Sequence, residues 1–260
     1  MSCPKYDFHV HTKYLRCADE TMEVSAIVAE CERVGVKLLG IADHLNRPDQ
    51  LDLHKLILAD LMAVETNMEL YFGVELNFMS VDGPLALTEE TKAQYGFQYA
   101  IGGIHETYMD SYDLKKLVDI QHRHHLAICT NPLVDVLVHP YWFGPGEFGR
   151  KGFPVFDSMK HVPASHVREL GQVAAETNTA IEINAGANFA KHMGGEDFAK
   201  TYMEYLAALA EEGPMFSLAS DAHNVANLVD VQVAWNAVDE LKLPDERIWR
   251  PGPKCLNKVS

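Results

Sequence analysis

Tyr6-Asp7-Phe8-His9-Val10-His11 reads as a short β-strand that ends in two histidines one residue apart. Side chains alternate along a strand, so positions i and i+2 share a face. His9 and His11 therefore present two imidazoles to one point, a geometry that suits a metal ion. A His-x-His pair alone is more often surface decoration or a satisfied core pair. Its weight here comes from what recurs downstream.

Val24, Ile27, Val28, Cys31 and Val34 keep helical spacing, which predicts an amphipathic helix over 22–34, with Cys31 in the core and Gly35 ending it. A strand, Val36 to Ala42, then closes on Asp43-His44. A helix at about 51–68 leads to a strand, Leu70 to Val74, that ends in Glu75. The run Tyr99 to Ile104 ends in His105, and Leu114, Leu117 and Val118 mark a helix at about 111–127. Asp135 to Val138 is a strand ending in His139-Pro140. The stretch 140–164, rich in Gly, Pro and aromatics, predicts a long ordered loop, a lid or specificity element that carries Trp142, Phe143 and Arg150. Helices near 165–177 and 196–212 flank the strand Ala180 to Asn184, which holds Glu182. A last strand, Met215 to Ala219, runs into Ser220-Asp221-Ala222-His223, with a closing helix beyond it and an irregular tail from Pro244.

Seven strands alternating with helices imply a parallel sheet, open or closed into a barrel, and no linker divides the chain, so one domain is expected over 1–260. His11, His44, Glu75, His105, His139, Glu182 and Asp221 follow one another at steps of 33, 31, 30, 34, 43 and 39 residues, each about one βα unit. In a β/α barrel the C-terminal strand ends gather on one face, where active sites lie. Residues far apart in sequence should therefore converge there. Imidazoles and carboxylates in such a cluster suit zinc, manganese or iron. The set His9, His11, His44, Glu75, His105, His139, Asp221 and His223 exceeds the needs of one ion, so two or three divalent ions are expected.

Composition narrows the setting. A 47% hydrophobic, 23% charged chain of 260 residues is ordinary globular protein. It has neither an apolar run near 18 residues nor a cationic apolar leader, so no membrane span is expected. Five scattered cysteines (Cys3, Cys17, Cys31, Cys129 and Cys255) suggest a reducing cytoplasm. A net charge of −15 argues against long nucleic acid as a partner, while a small anion held by metal ions remains compatible. The oligomeric state is not legible.

Taken together, His9-Val10-His11, Ala42-Asp43-His44, Gly73-Val74-Glu75, Gly103-Ile104-His105, Val138-His139-Pro140, Glu182-Ile183-Asn184 and Ser220-Asp221-Ala222-His223 resemble the PHP family, named for polymerase and histidinol phosphatase. The likeness runs over nearly the whole chain. It implies a distorted (β/α)7 TIM-like barrel, a two- or three-metal centre, and phosphoester hydrolysis. Carried over by motif, one metal would use His9, His11, Glu75 and Asp221. A second would share Glu75 with His105 and His139. A third would use His44, His223 and a residue of the loop after the first strand. Trinuclear members commonly carry a histidine there, six positions after the second histidine of the first motif. Here that position is Cys17, which could ligate as a thiolate, leave the site weak, or yield to Asp19. Glu182 and Asn184 are expected to orient ligands.

The implied chemistry is attack on phosphorus by a metal-activated hydroxide, with no catalytic side chain beyond metal-bound water. Arg16, Arg47, Arg150 and Lys191 are candidate phosphate contacts, against the plainer reading of each as a solvated charge. His122, His124 and His125 are expected to be solvated on their helix. The leading function is hydrolysis of a small phosphomonoester, histidinol-phosphatase-like. Alternatives are a nucleotide or oligonucleotide phosphodiesterase, a metal-dependent amidohydrolase, or a non-catalytic metal-binding module.

Overall fold

A computed structural model describes residues 5–190, 194–252, 255 and 256. Seven parallel strands form its centre: β1 (Tyr6–Val10), β2 (Leu38–Ile41), β3 (Glu69–Asn77), β4 (Tyr99–Gly103), β5 (Val136–Leu137), β6 (Ala180–Asn184) and β7 (Phe216–Ala219). Each pairs with its neighbour in chain order, as right-handed βαβ crossovers dictate. A two-residue segment, His44–Leu45, adds itself to β3, setting His44 opposite Glu75. The sheet nearly closes on itself. Val10 bridges Ala222, the Asp221 N–H donates to His9 O at 2.9 Å, and the His11 N–H donates to Ala222 O at 3.2 Å. The expected distorted barrel is the observed one.

The barrel interior explains two glycines. Tyr99 is fully buried and lays its ring across Gly40 and Gly73, where an added Cβ would collide with it. Its hydroxyl donates to Phe8 O at 2.8 Å, which satisfies the one polar atom that burial would strand. Phe8 and Trp249 pack edge-on at 5.7 Å. The tail expected to be irregular therefore plugs the barrel, with Trp249 N–H donating to Phe216 O at 2.8 Å.

Around the strands lie α1 (Val24–Val34), α2 (Leu51–Ala63), α3 (Glu89–Tyr95), α4 (Leu114–Cys129), α5 (Pro145–Lys151), α6 (Ala164–Thr177), α7 (Gly195–Glu211) and α8 (Val231–Leu241). Val24, Ile27, Val28 and Cys31 are buried as their spacing predicts, and Gly35 closes α1 at φ 96°. The expected helix over 51–68 stops at Ala63, because Val64 turns to extended backbone.

Two expectations change. The 140–164 stretch is not one loop. Pro145, at the first helical position, opens α5, and a turn of 3-10 helix spans Met159–His161. Glu147 pins α5 by accepting from the Thr107 N–H and hydroxyl and from Lys151, and Phe143, Phe148 and Phe156 are buried against one another. Nor are His122, His124 and His125 solvated; they are buried, at 5%, 6% and 0% exposure. The helix α4 is covered on several sides. His122 stacks on His166 of α6 at 3.9 Å, His124 on Tyr108 at 5.6 Å, and His125 meets Tyr141 edge-on at 4.7 Å. Residue type suggested water there, whereas the packing of neighbouring segments decided otherwise. No helix among the described residues is long and apolar enough to cross a membrane.

Candidate metal centre

Glu75 is the hub. It lies inside the nine-residue β3, two residues before its end, because the His44–Leu45 segment extends the pairing past the point expected. The side chain is 1% exposed. Its Oε1 lies 3.0 Å from His105 Nε2 and 3.2 Å from His139 Nε2. Its Oε2 lies 2.8 Å from His44 Nδ1, 3.3 Å from His9 Nε2 and 3.5 Å from His11 Nε2. One carboxylate thus spans two groups of imidazoles.

Asp221 completes the group on the β1 side, with Oδ1 3.3 Å from His11 Nε2 and 3.7 Å from His9 Nε2. Its backbone sits at φ 54° and that of His139 at φ 31°, a left-handed conformation that costs a non-glycine residue about 1–3 kcal/mol and gathers at functional sites. Among the described residues, three sets have possible ligand atoms within 4.8 Å of one another: His9, His11 and Asp221; His44, Glu75 and His105; and His11, Cys17, His44 and His223. Cys17 is exposed, with Sγ 3.7 Å from His11 Nδ1. With His139 joined through Glu75 Oε1, the nine expected ligands meet on one face of the barrel, and His11 and His44 each belong to two sets.

The electrostatics favour a cation. Burial acts to lower the His9 imidazole pKa, but Glu182, Glu75 and Asp221 outweigh it and hold the group well above its ordinary value. Burial likewise opposes protonation of His11, and its bonds to Asp221, Asp43 and Cys17 reverse the sign. Burial would raise the Glu75 carboxyl, yet His44, His9 and His105 hold it well below the usual carboxylate range. His105 and His223 are different. Burial lowers both to about 4, so at neutral pH their imidazoles are uncharged, the form that ligates a metal.

Buried groups outside this ring orient it. His9 Nδ1 lies 2.8 Å from Glu182 Oε1, while Glu182 Oε2 accepts from the His139 N–H at 2.8 Å and from Asn184 Nδ2 at 2.9 Å. Asn184 also reaches Asp221 Oδ2 at 3.2 Å. This is the arrangement that sets the tautomer of a ligating histidine. Two further acids, Asp43 and Asp7, take similar places. Asp43 accepts the Thr12 N–H and hydroxyl and lies 3.5 Å from His11 Nδ1. Asp7 accepts the N–H groups of Ser220 and His9 at the barrel seam, and burial pushes its carboxyl up to about 7. The signal available for both is position, since Asp43 adjoins His44 and Asp7 stands two residues before His9 on the same strand.

The candidate phosphate contacts separate. Arg16 is exposed beside Cys17 at φ 61° and forms no ion pair among the described residues. Arg47 pairs with Asp49 at 3.1 Å. Arg150 is exposed on α5, and Lys191, with His192, lies outside the described residues.

Comparison with known proteins places this geometry. The PHP domain pattern matches residues 7–186. The chain belongs to the PHP domain family. A relative from Proteus mirabilis (strain HI4320), described as "Probable phosphatase PMI1003", is 25% identical over 252 residues, which is 95% of this chain and 90% of the relative. Among solved structures, a Yersinia pestis dihydropteroate synthase overlaps at a TM-score of 0.44 with 13% identity, covering 92% of this chain and 94% of that one. A deoxyribose-phosphate aldolase, called putative in its own description, from Coccidioides immitis overlaps at 0.41 with 9% identity, covering 89% and 78%. Overlaps this low carry no argument, and the barrel is read from strand order alone. The PHP match ends before Asp221 and His223, and it is the seam between β1 and β7 that brings those two residues to His9 and His11.

Proposed function

We propose that this PHP protein is a metal-dependent phosphoesterase that hydrolyses a small phosphomonoester, histidinol-phosphatase-like in reaction type. The observation that carries the reading is a cluster of buried imidazole nitrogens and carboxylate oxygens turned toward one another. His9 Nε2 faces His11 Nε2 at 3.0 Å, and Glu75 Oε2 lies 2.8 Å from His44 Nδ1 without hydrogen-bond geometry. Protons satisfy such an arrangement poorly, whereas a divalent cation satisfies it directly. His9, His11, Glu75 and Asp221 would hold one ion, Glu75 with His105 and His139 a second, and His44, His223 and Cys17 a third. The nitrogen-rich donor set suits zinc, manganese or iron. Ions bound there supply Lewis acidity toward a phosphoryl oxygen and lower the pKa of water.

The chain's own residues do the rest. Glu75 divides its two oxygens between the groups and so fixes their spacing. Glu182 and Asn184 hold His9, His139 and Asp221 in place. Arg16, exposed beside Cys17 and free of ion pairs among the described residues, would contact the phosphate. No side chain is assigned as leaving-group acid. The name of the Proteus relative supports phosphatase chemistry. The acidic chain disfavours long nucleic acid, and the free thiols at Cys17, Cys31, Cys129 and Cys255 favour a reducing, cytoplasmic setting. The test is a panel of a phosphomonoester, a phosphodiester and an amide, each run with chelated protein and after adding manganese or zinc. Metal-dependent turnover of the monoester supports the reading; diester turnover would move the assignment to a phosphodiesterase, amide turnover to an amidohydrolase, and inactivity on all three to a binding module.

A further inference from the structure

Trp142 is the residue of the 140–164 segment that reaches the centre. Its backbone N–H donates to His139 O at 3.0 Å, which turns the chain back over the barrel mouth. The indole lies 5.3 Å from the His139 ring and 6.2 Å from the His105 ring. Both imidazoles face Glu75 Oε1. Phe143, Phe148 and Phe156 from the same segment are spent on the core, whereas Trp142 is only partly buried. Gly144 underlies the benzo edge, and a Cβ there would cover it, 3.5 Å from Cη2. A broad flat apolar surface is thus left partly open beside three polar ligands. Indole binds another ring well, by stacking or by edge contact.

We propose that Trp142 is a substrate-positioning residue that packs against a planar ring carried on the alcohol side of the ester. The favoured substrate would then be a phosphomonoester with an aromatic or heteroaromatic group close to phosphorus. This inference rests on the phosphoesterase reading for its substrate, but not for its ring contact.

The test compares phenyl phosphate with glycerol 2-phosphate in wild type, Trp142→Leu and Trp142→Phe. Comparing the ratio of the two kcat/KM values between variant and wild type cancels the difference in leaving-group reactivity. An aromatic pair corresponds to about a 2- to 12-fold effect. Trp142→Leu should lower the phenyl-to-glycerol ratio by that factor, mainly through KM for phenyl phosphate, and Trp142→Phe should restore most of it. An unchanged ratio, or an equal loss in both variants, overturns the proposal. A second measurement needs no variant. Trp235 and Trp249 are buried, at 3% and 8% exposure, so acrylamide quenching of the native protein reports mainly on Trp142. Phenylphosphonate should shield the fluorescence and methylphosphonate should not; shielding by both or by neither refutes the ring contact. Wild type inert on both esters would sink the phosphomonoester reading, while the quenching result would still decide the role of Trp142.

Discussion

Replacing Glu182 with Gln removes one charge from a site where the side chain is 1% exposed and each carboxylate oxygen is committed. Oε1 faces His9 Nδ1, and Oε2 accepts from two donors, the His139 N–H and Asn184 Nδ2. An amide can accept at only one end. If its NH2 points toward His139 and Asn184, three donors meet and two hydrogen bonds are lost. The lower-energy choice turns the NH2 toward His9 Nδ1, which must then accept, and the His9 proton moves to Nε2. That is the nitrogen facing His11, Glu75 and Asp221. His9 would thereby lose the lone pair it presents to a metal. Changes at groups that orient ligating histidines typically cost about 10- to 100-fold in metal affinity, or roughly 1.4–2.7 kcal/mol. Competition titration against a chromophoric chelator measures this directly. The activity-versus-metal curve should shift to higher metal concentration in step. Affinity within twofold of wild type would refute both the tautomer argument and the assignment of His9 as a ligand.

Other outcomes follow from the same geometry. Cys17→Ser should take the metal content from about three ions per chain to about two by elemental analysis, while the Glu75-centred pair persists; equal content in both proteins removes Cys17 from the ligand set. Gly73→Ala drives a methyl into the Tyr99 ring and should cost about 1–3 kcal/mol, visible as a lower urea midpoint at unchanged slope, and a neutral result would mean that Tyr99 does not fill the barrel as described. Glu147→Gln weakens charge-assisted bonds to Thr107 and Lys151 and should cost about 1–3 kcal/mol at pH 7. Burial would raise the Glu147 carboxyl, but Lys151 and Thr107 hold it below the ordinary 4.5, so its stabilisation is fully present above that value and fades as pH falls through the lower folded one. The gap between variant and wild type should therefore close in acid; a gap of the same size at pH 7 and in acid contradicts the ion pair.

Much of this protein was legible one residue at a time. The strand runs, the helix over Val24–Val34 and the cadence of polar strand ends need only local periodicity, and local periodicity is written in residue order. A barrel whose strands pair in sequence order adds no long-range ambiguity, so the convergence of His9, His11, His44, Glu75, His105 and His139 could be read before any coordinates. What stayed hidden depends on which segment covers which. Histidines at 122, 124 and 125 look solvated by type and are buried because α6, Tyr108 and Tyr141 pack over them. A Gly- and Pro-rich stretch looks like loop and becomes α5 because Glu147 finds Thr107 across 40 residues. The sequence by itself determined the alternation of strands and helices and the imidazoles and carboxylates that follow the strands. The tertiary structure alone decided how Glu75 divides its oxygens, that Glu182 orients His9, and that Trp142 rather than its aromatic neighbours stands at the mouth. Side-chain pairing between distant segments has no period in the sequence, and it exists only once the barrel has closed.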